Sequence, residues 1–258
     1  MDYKEILRKY LPPKLLNVLR ALNTLRPSEK YVLKYSATYN EDGLYTNHNC
    51  DFLKDPLFKE AYRLGFDTGS SKGWHLQWRV YIACWFANRA KDMEGDFIEC
   101  GTNRGMVSRA IAHYVDFGKL EKTFYLLDSF CGLSDRLQSE TELERPNMVS
   151  YEECFDSVKE TFKEFDNIVL IRGFIPDTLP SAHTNKVCFL HIDLNCAAPE
   201  IEAGEFFWEK LISGGAILLD DYAYPGYQEQ KDAWDKFAEQ KRIQVLSLPT
   251  GQGLILKP

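Results

Sequence analysis

The chain reads as an α/β protein built on a mostly parallel, doubly wound sheet, and two features of its second half lead there. From residue 94 onward, short apolar runs alternate with stretches of helical character: 97–100, 123–127, 168–171, 187–192 and 216–219. Runs that are continuously apolar, rather than alternating, belong to strands buried on both faces, as in a parallel sheet covered by helices. The last two runs, 243–248 and 253–256, flank Pro249-Thr250-Gly251-Gln252. They read as a hairpin that adds an antiparallel edge.

The elements before the sheet are less regular. Pro12-Pro13 can open a helix, and Leu15, Val18, Leu19, Leu22 and Leu25 recur at helical spacing. Residues 1–34 carry eight basic against three acidic side chains, so this stretch is +5 and the remainder −12 within a net charge of −7. Such a helix packs on its own domain or on a second subunit of a homo-oligomer; peripheral contact with an anionic membrane surface is the competing reading. Residues 35–73 are polar, aromatic and glycine-punctuated, as loops and short helices are, and 78–89 reads as a buried helix. We therefore divide the chain into a helical N-terminal extension, 1–75, serving assembly or as a lid, and a main domain, 76–258. The charged stretch 135–153 reads as a loop or lid.

Composition narrows the function. An acidic chain lacks the basic face that nucleic acid requires. Seven cysteines without a Cys-x-x-Cys pair suit neither a disulfide framework nor a zinc site, and no apolar run is long enough to span a bilayer, so a reducing cytoplasm is the expected home.

Ligands of an open parallel sheet bind beyond the carboxyl ends of its strands. After the first run come Glu99, Gly101, Thr102, Asn103, Arg104 and Gly105. The spacing Gly-x-x-x-Gly, with an acid two residues ahead, is not the Gly-x-Gly-x-x-Gly that seats a pyrophosphate, which speaks against a nicotinamide-dependent oxidoreductase. It suits an amino-acid tail and a sulfonium. Asp128 closes the second run, where a carboxylate can accept from both ribose hydroxyls. The fourth and fifth runs end in His191-Ile192-Asp193-Leu194-Asn195 and Asp220-Asp221-Tyr222. Neighbouring strands would bring Asp193, Asp220 and Asp221 together, and like charges in one pocket call for a shared cation such as magnesium.

The stretches GDFIECGTNRG, LLDSFCGL, IRGFIPDTLP, LHIDLN and ISGGAILLDDYAYPG, in that order, resemble the macrocin O-methyltransferase family of class I S-adenosylmethionine-dependent methyltransferases. The resemblance implies a Rossmann-like methyltransferase fold from about residue 94 to the end. It implies S-adenosyl-L-methionine held by Glu99 and Gly101 at the methionine end, with Thr102, Asn103 and Gly105 in the same turn. Asp128 with Ser129 would take the ribose, and Gly173 with Phe174 the adenine. It also implies Mg2+ on Asp193, Asp220 and Asp221, positioning a hydroxyl of a small acceptor such as a sugar. Asp193 is the candidate base or metal ligand and His191 the alternative base. Three positions depart from the pattern: Asn195 replaces the second acid of an Asp-x-Asp pair, Ala197 a tyrosine and Cys131 a glutamate. The competing functions are a metal-independent methyltransferase using His191 as base and a non-catalytic nucleoside-binding scaffold.

Overall fold

The computed structural model describes residues 36–145 and 151–258. The leucine-rich helix expected in 1–34 lies outside them. The chain forms two compact units, Met1–Cys50 and Asp51–Pro258. Among the described residues of the first, strands β1 (Tyr39–Glu41) and β2 (Leu44–Thr46) pair antiparallel. Asp42 and Gly43 make the turn, both with positive φ (51° and 70°), as a two-residue hairpin requires.

The second unit begins with helix α1 (Pro56–Phe66). Pro56 sits in the first turn, where a missing N–H costs nothing, and the Asp55 carboxylate caps the helix by accepting from the Phe58 amide at 2.8 Å. Helix α2 (Gln77–Ala90) follows where a helix was expected, though Trp85 on it is exposed. Five strands then run parallel: β3 (Asp96–Cys100), β4 (Phe124–Asp128), β5 (Ile168–Arg172), β6 (Val187–Ile192) and β7 (Leu211–Leu219). Strands β8 (Leu246–Ser247) and β9 (Gly253–Leu256) complete the sheet as an antiparallel hairpin, giving the order β5-β4-β3-β6-β7-β9-β8. The doubly wound architecture and its antiparallel edge are thus as expected from the apolar runs.

Helices α3 (Met106–Tyr114), α5 (Phe155–Phe162), α6 (Ala197–Trp208) and α7 (Gln228–Lys241) cover the sheet. Alternate strand residues feed opposite faces. Phe97, Phe124, Leu126 and Phe189 pack with α1, α2, α3 and α5, whereas Ile98, Leu127, Leu190 and Ile192 pack with α6 and α7. Within 135–145 the expected loop carries a short helix, α4 (Glu140–Leu143), closed by a capping box between Ser139 and Glu142. No helix among the described residues is long and apolar enough to cross a membrane.

Connections leave β3 toward β4 on one side and β6 on the other, so the topological switch point lies at the carboxyl end of β3. There the ladder runs on past the strands. The Gly101 amide donates to Leu127 O (2.8 Å), Asp193 N to Cys100 O (2.8 Å), Gly173 N to Asp128 O (2.9 Å) and Asp220 N to Ile192 O (2.9 Å). Four strand-end loops are thereby held side by side, and these are the loops that carry the site.

Candidate active site

A cleft opens at the switch point, its lining including Gly101, Asn103, Asp128, Ser129, Gly173 and Phe174. Close approach fixes the glycines. A Cβ on Gly101, whose φ is 93°, would lie 1.8 Å from the Asp193 carbonyl oxygen, so the turn after β3 passes against the loop after β6 only because that atom is missing. Gly105 (φ 90°) starts α3, and a Cβ there would meet the Phe162 ring at 2.7 Å.

Asp128 ties the turns after β3 and β4 together. Its Oδ2 accepts from the Asn103 amide at 2.7 Å and its Oδ1 from the Phe130 amide at 2.5 Å. Burial pushes the Asp128 carboxyl up, and those two N–H groups oppose the shift. Each oxygen has a further lone pair, so the group can still receive ligand hydroxyls from the cleft. Ser129 spends its hydroxyl within its own loop, donating to Gly132 O at 2.6 Å. Thr102 is buried behind the lining and its Oγ1 has no partner. Arg136 stands over the Phe174 ring at 5.9 Å.

Beneath the cleft floor, Glu99 and His191 are buried and paired, with Glu99 Oε1 3.0 Å from His191 Nδ1. Glu99 Oε2 is buried without a partner, an acceptor that a ligand's ammonium group would satisfy. His191 Nε2 points to Asp220 Oδ1 at 3.6 Å. Burial opposes the imidazolium, but hydrogen bonds and charges from Asp220 and Glu99 outweigh it, holding the ring's pKa up at about 10. His191 does not line the cleft; it sits between the two carboxylates and orients both.

At Asp193 the cleft borders an acidic cluster. One oxygen each from Asp193, Asp220 and Asp221 lies within 4.8 Å of the others. Burial, and next the charges of Asp220 and Asp221, push the Asp193 carboxyl well up. Asp220 behaves oppositely: burial disfavours its charge, yet Arg79 and His191 prevail and hold it down at about 2. Arg79 comes from α2, 2.7 Å from Asp220 Oδ2 and 3.7 Å from Asp221 Oδ1. It also donates to Asp220 O (2.5 Å) and Thr250 O (3.2 Å), while Gln252 Nε2 donates to Asp220 Oδ1 (3.1 Å). Asn195, in a left-handed conformation (φ 59°), donates from Nδ2 to Asp193 Oδ1 at 3.1 Å and accepts from the Tyr227 hydroxyl at 2.8 Å. Arg145 stacks 3.9 Å over Tyr227 and donates to Asn195 O.

Sequence reasoning missed Arg79, Arg145, Tyr227 and Tyr151, the last of which lines the cleft. Arg79 had a signal. It is one of two basic residues in the helix Gln77–Ala90, and a guanidinium buried among that helix's apolar side chains demands carboxylates. The other three lie in stretches with no periodicity to read.

A family model described as macrocin-O-methyltransferase (TylF) matches residues 82–246. The 8-demethyl-8-(2,3-dimethoxy-alpha-L-rhamnosyl)-tetracenomycin-C 4'-O-methyltransferase of Streptomyces olivaceus is 28% identical over 149 residues, covering 52% of this chain and 55% of that protein. The mycinamicin III 3''-O-methyltransferase of Micromonospora griseorubida is 24% identical over 149 residues, covering 52% and 58%. The chain spans about half the length of the curated relatives it matches. Among solved structures, the O-methyltransferase NovP superposes with a TM-score of 0.59 at 21% identity, covering 69% of this chain and 79% of that one. The calicheamicin methyltransferase CalS11 gives 0.57 at 15%, covering 86% and 98%. Both share the Rossmann-like methyltransferase fold.

Proposed function

Because the chain belongs to the macrocin O-methyltransferase family, we propose that it transfers the methyl group of S-adenosyl-L-methionine to a hydroxyl of a small, sugar-bearing acceptor. The observation that carries this reading is one cleft that meets two chemically different sets of groups. Asp128 lines the cleft with the unsatisfied Glu99 Oε2 buried nearby, and Asp193 also lines it, clustered with Asp220 and Asp221. The names of the two curated relatives, which describe 4'- and 3''-O-methyltransferases, support a sugar hydroxyl as the acceptor.

The residues fit the cofactor. Asp128 offers lone pairs to a vicinal diol, Glu99 offers a buried acceptor to an α-ammonium, and Gly101 lets the turn after β3 pass against the Asp193 carbonyl at the cleft wall. They also fit a hard divalent cation: three carboxylate oxygens within 4.8 Å form an oxygen donor set whose repulsion a cation relieves. The cofactor supplies an electrophilic methyl group, and a cation on Asp193, Asp220 and Asp221 would lower the pKa of a coordinated hydroxyl.

The protein's own task is alignment and proton removal. The strand-end loops, tied by Asp128 and by the Asp193–Cys100 backbone bond, fix the distance between Asp128 and Asp193, which an in-line displacement requires. Asp193 borders the cleft and keeps one oxygen outside its bond with Asn195, so it is the proposed base for the acceptor hydroxyl. Asn195 holds one Asp193 oxygen and leaves the other for the acceptor side. His191 acts through Glu99 and Asp220 and is a positioning residue.

Calorimetry of the intact chain with S-adenosylhomocysteine, with and without magnesium, tests this. Saturable binding of the nucleoside and none of NADH is expected. Binding of NADH in its place would overturn the reading.

A further inference from the structure

We propose that Glu142 and Arg145 are positioning residues: from outside the cleft they hold the loop after β6, so that Asn195 on that loop can set the Asp193 carboxylate. This rests on the metal reading above.

The cleft lining takes Leu137 and Tyr151 from either side of α4 but nothing from residues 139–145. That segment turns instead to the loop 193–197, which it pins at two points. The start of the loop is fixed to β3, because the Asp193 amide donates to Cys100 O at 2.8 Å. At the far end α6 opens on Cys196, whose side chain makes no capping bond, so the first amides of the helix lack the usual local acceptor. Glu142 supplies one from α4. Its Oε1 accepts from the Ala197 amide at 2.7 Å, while Oε2 accepts from the Ser139 amide at 2.9 Å. The residue is 2% exposed, so its carboxylate depends on these N–H groups in place of water, and its charge lies where the α6 dipole favours it.

Arg145 holds the middle of the loop in two ways. Its Nη1 donates to Asn195 O at 3.1 Å, where the backbone is left-handed (φ 59°). Its guanidinium also stacks 3.9 Å over the Tyr227 ring, and the Tyr227 hydroxyl donates to Asn195 Oδ1 at 2.8 Å. Nη2 is anchored on Gln230 Oε1 at 3.1 Å, and Gln230 is buried on α7 and donates in turn to Glu200. With its carbonyl and its side-chain oxygen both held, Asn195 presents Nδ2 to Asp193 Oδ1 at 3.1 Å. An amide suits this relay because it accepts on one atom and donates on the other, whereas a carboxylate could not donate to Asp193. A side chain one hydrogen bond away from a metal ligand orients it, and its loss weakens metal binding by about 10- to 100-fold.

The test is Mn2+ binding to the intact chain saturated with S-adenosylhomocysteine, read as loss of the free-ion paramagnetic resonance signal. Calorimetry of the nucleoside and melting curves accompany it. Asn195→Ala should weaken Mn2+ binding by roughly tenfold. Arg145→Met and Glu142→Leu should each weaken it by roughly three- to tenfold and change the nucleoside Kd by less than about twofold. Adding Arg145→Met to Asn195→Ala should cost no more than about a further twofold, since residues that act through one another are not additive. Glu140→Ala, exposed on the same short helix, should change neither affinity. Retained Mn2+ affinity in a folded Arg145→Met would overturn the proposal. A fully additive loss in the double variant, or an equal loss of nucleoside binding in Arg145→Met, would do the same. If Glu142→Leu fails to fold, Arg145→Met and the double variant decide. Failure of the wild type to bind Mn2+ would overturn this proposal and the metal reading together. Wild-type binding that these variants leave unchanged overturns the positioning role alone.

Discussion

Replacing Asp128 by asparagine separates shape from charge at the point where the turns after β3 and β4 are held together. In the native protein both carboxylate oxygens accept backbone N–H groups, Asn103 at 2.7 Å and Phe130 at 2.5 Å, and their remaining lone pairs face the cleft. An amide keeps the volume but puts NH2 where one oxygen was, so one of those N–H groups meets a donor. Hydrogen bonds to a charged group contribute about 1.5–3 kcal/mol each, against about 0.5–1.5 for neutral ones. The charge lost toward a ribose hydroxyl, with the loosened turn, should cost about 1–3 kcal/mol of cofactor binding, or roughly 5- to 150-fold in Kd. The assay is calorimetric titration of S-adenosylhomocysteine into wild type and Asp128→Asn, with melting curves to establish that the variant is folded. Equal affinities in a folded variant would refute the assignment of Asp128 to the ligand and leave it a purely structural tie between two loops.

Other outcomes follow from the same geometry. Gly101→Ala places a Cβ 1.8 Å from the Asp193 carbonyl oxygen, so it should destabilise the fold by about 3 kcal/mol or more and lower the melting temperature. Glu200 is buried, accepts from Trp234 and Gln230, and has its pKa raised by burial to about 8. Its folded-state pKa lies above the unfolded value, so stability should fall as pH rises from about 4.5 through about 8. Glu200→Gln should flatten that dependence, and melts from pH 5 to 9 would read it. His191→Asn should lower turnover more than it weakens cofactor binding, since the ring orients Glu99 and Asp220 without lining the cleft. A comparison of kcat with the nucleoside Kd checks that split.

Much of this architecture is legible in the sequence because parallel strands buried on both faces leave continuous apolar runs. Strands β3 to β6 fall on their runs to within a residue or two at either end, and the residues just after them carry the site. The strand β7 runs back to Leu211 through Ser213-Gly214-Gly215, a stretch whose glycines conceal extended backbone. The carboxylate cluster is legible too, since neighbouring strand ends must meet. What surrounds it is not. Arg79 lies more than a hundred residues from the aspartate it holds, and no local pattern carries that pairing. Glu142 and Arg145 sit in a charged stretch that resembles any solvated loop, yet Glu142 caps the Ala197 amide at 2.7 Å and Arg145 braces Asn195. These contacts depend on tertiary placement alone. His191 illustrates the same limit, because a histidine at a strand end reads equally as a base or as a buried ion-pair partner, and only the distances to Glu99 and Asp220 give its place.

The central claim is methyl transfer to a sugar oxygen, and it is tested most directly with S-adenosylmethionine carrying a deuterated methyl group. The intact chain, with magnesium, would be incubated with a panel of rhamnosyl and other deoxyhexosyl compounds, and the products fragmented in a mass spectrometer. The account predicts that the heavy methyl appears on a sugar hydroxyl and that chelation suppresses its transfer. Label found instead on a nitrogen or a phenol, or on no acceptor of the panel while the nucleoside still binds, would contradict it.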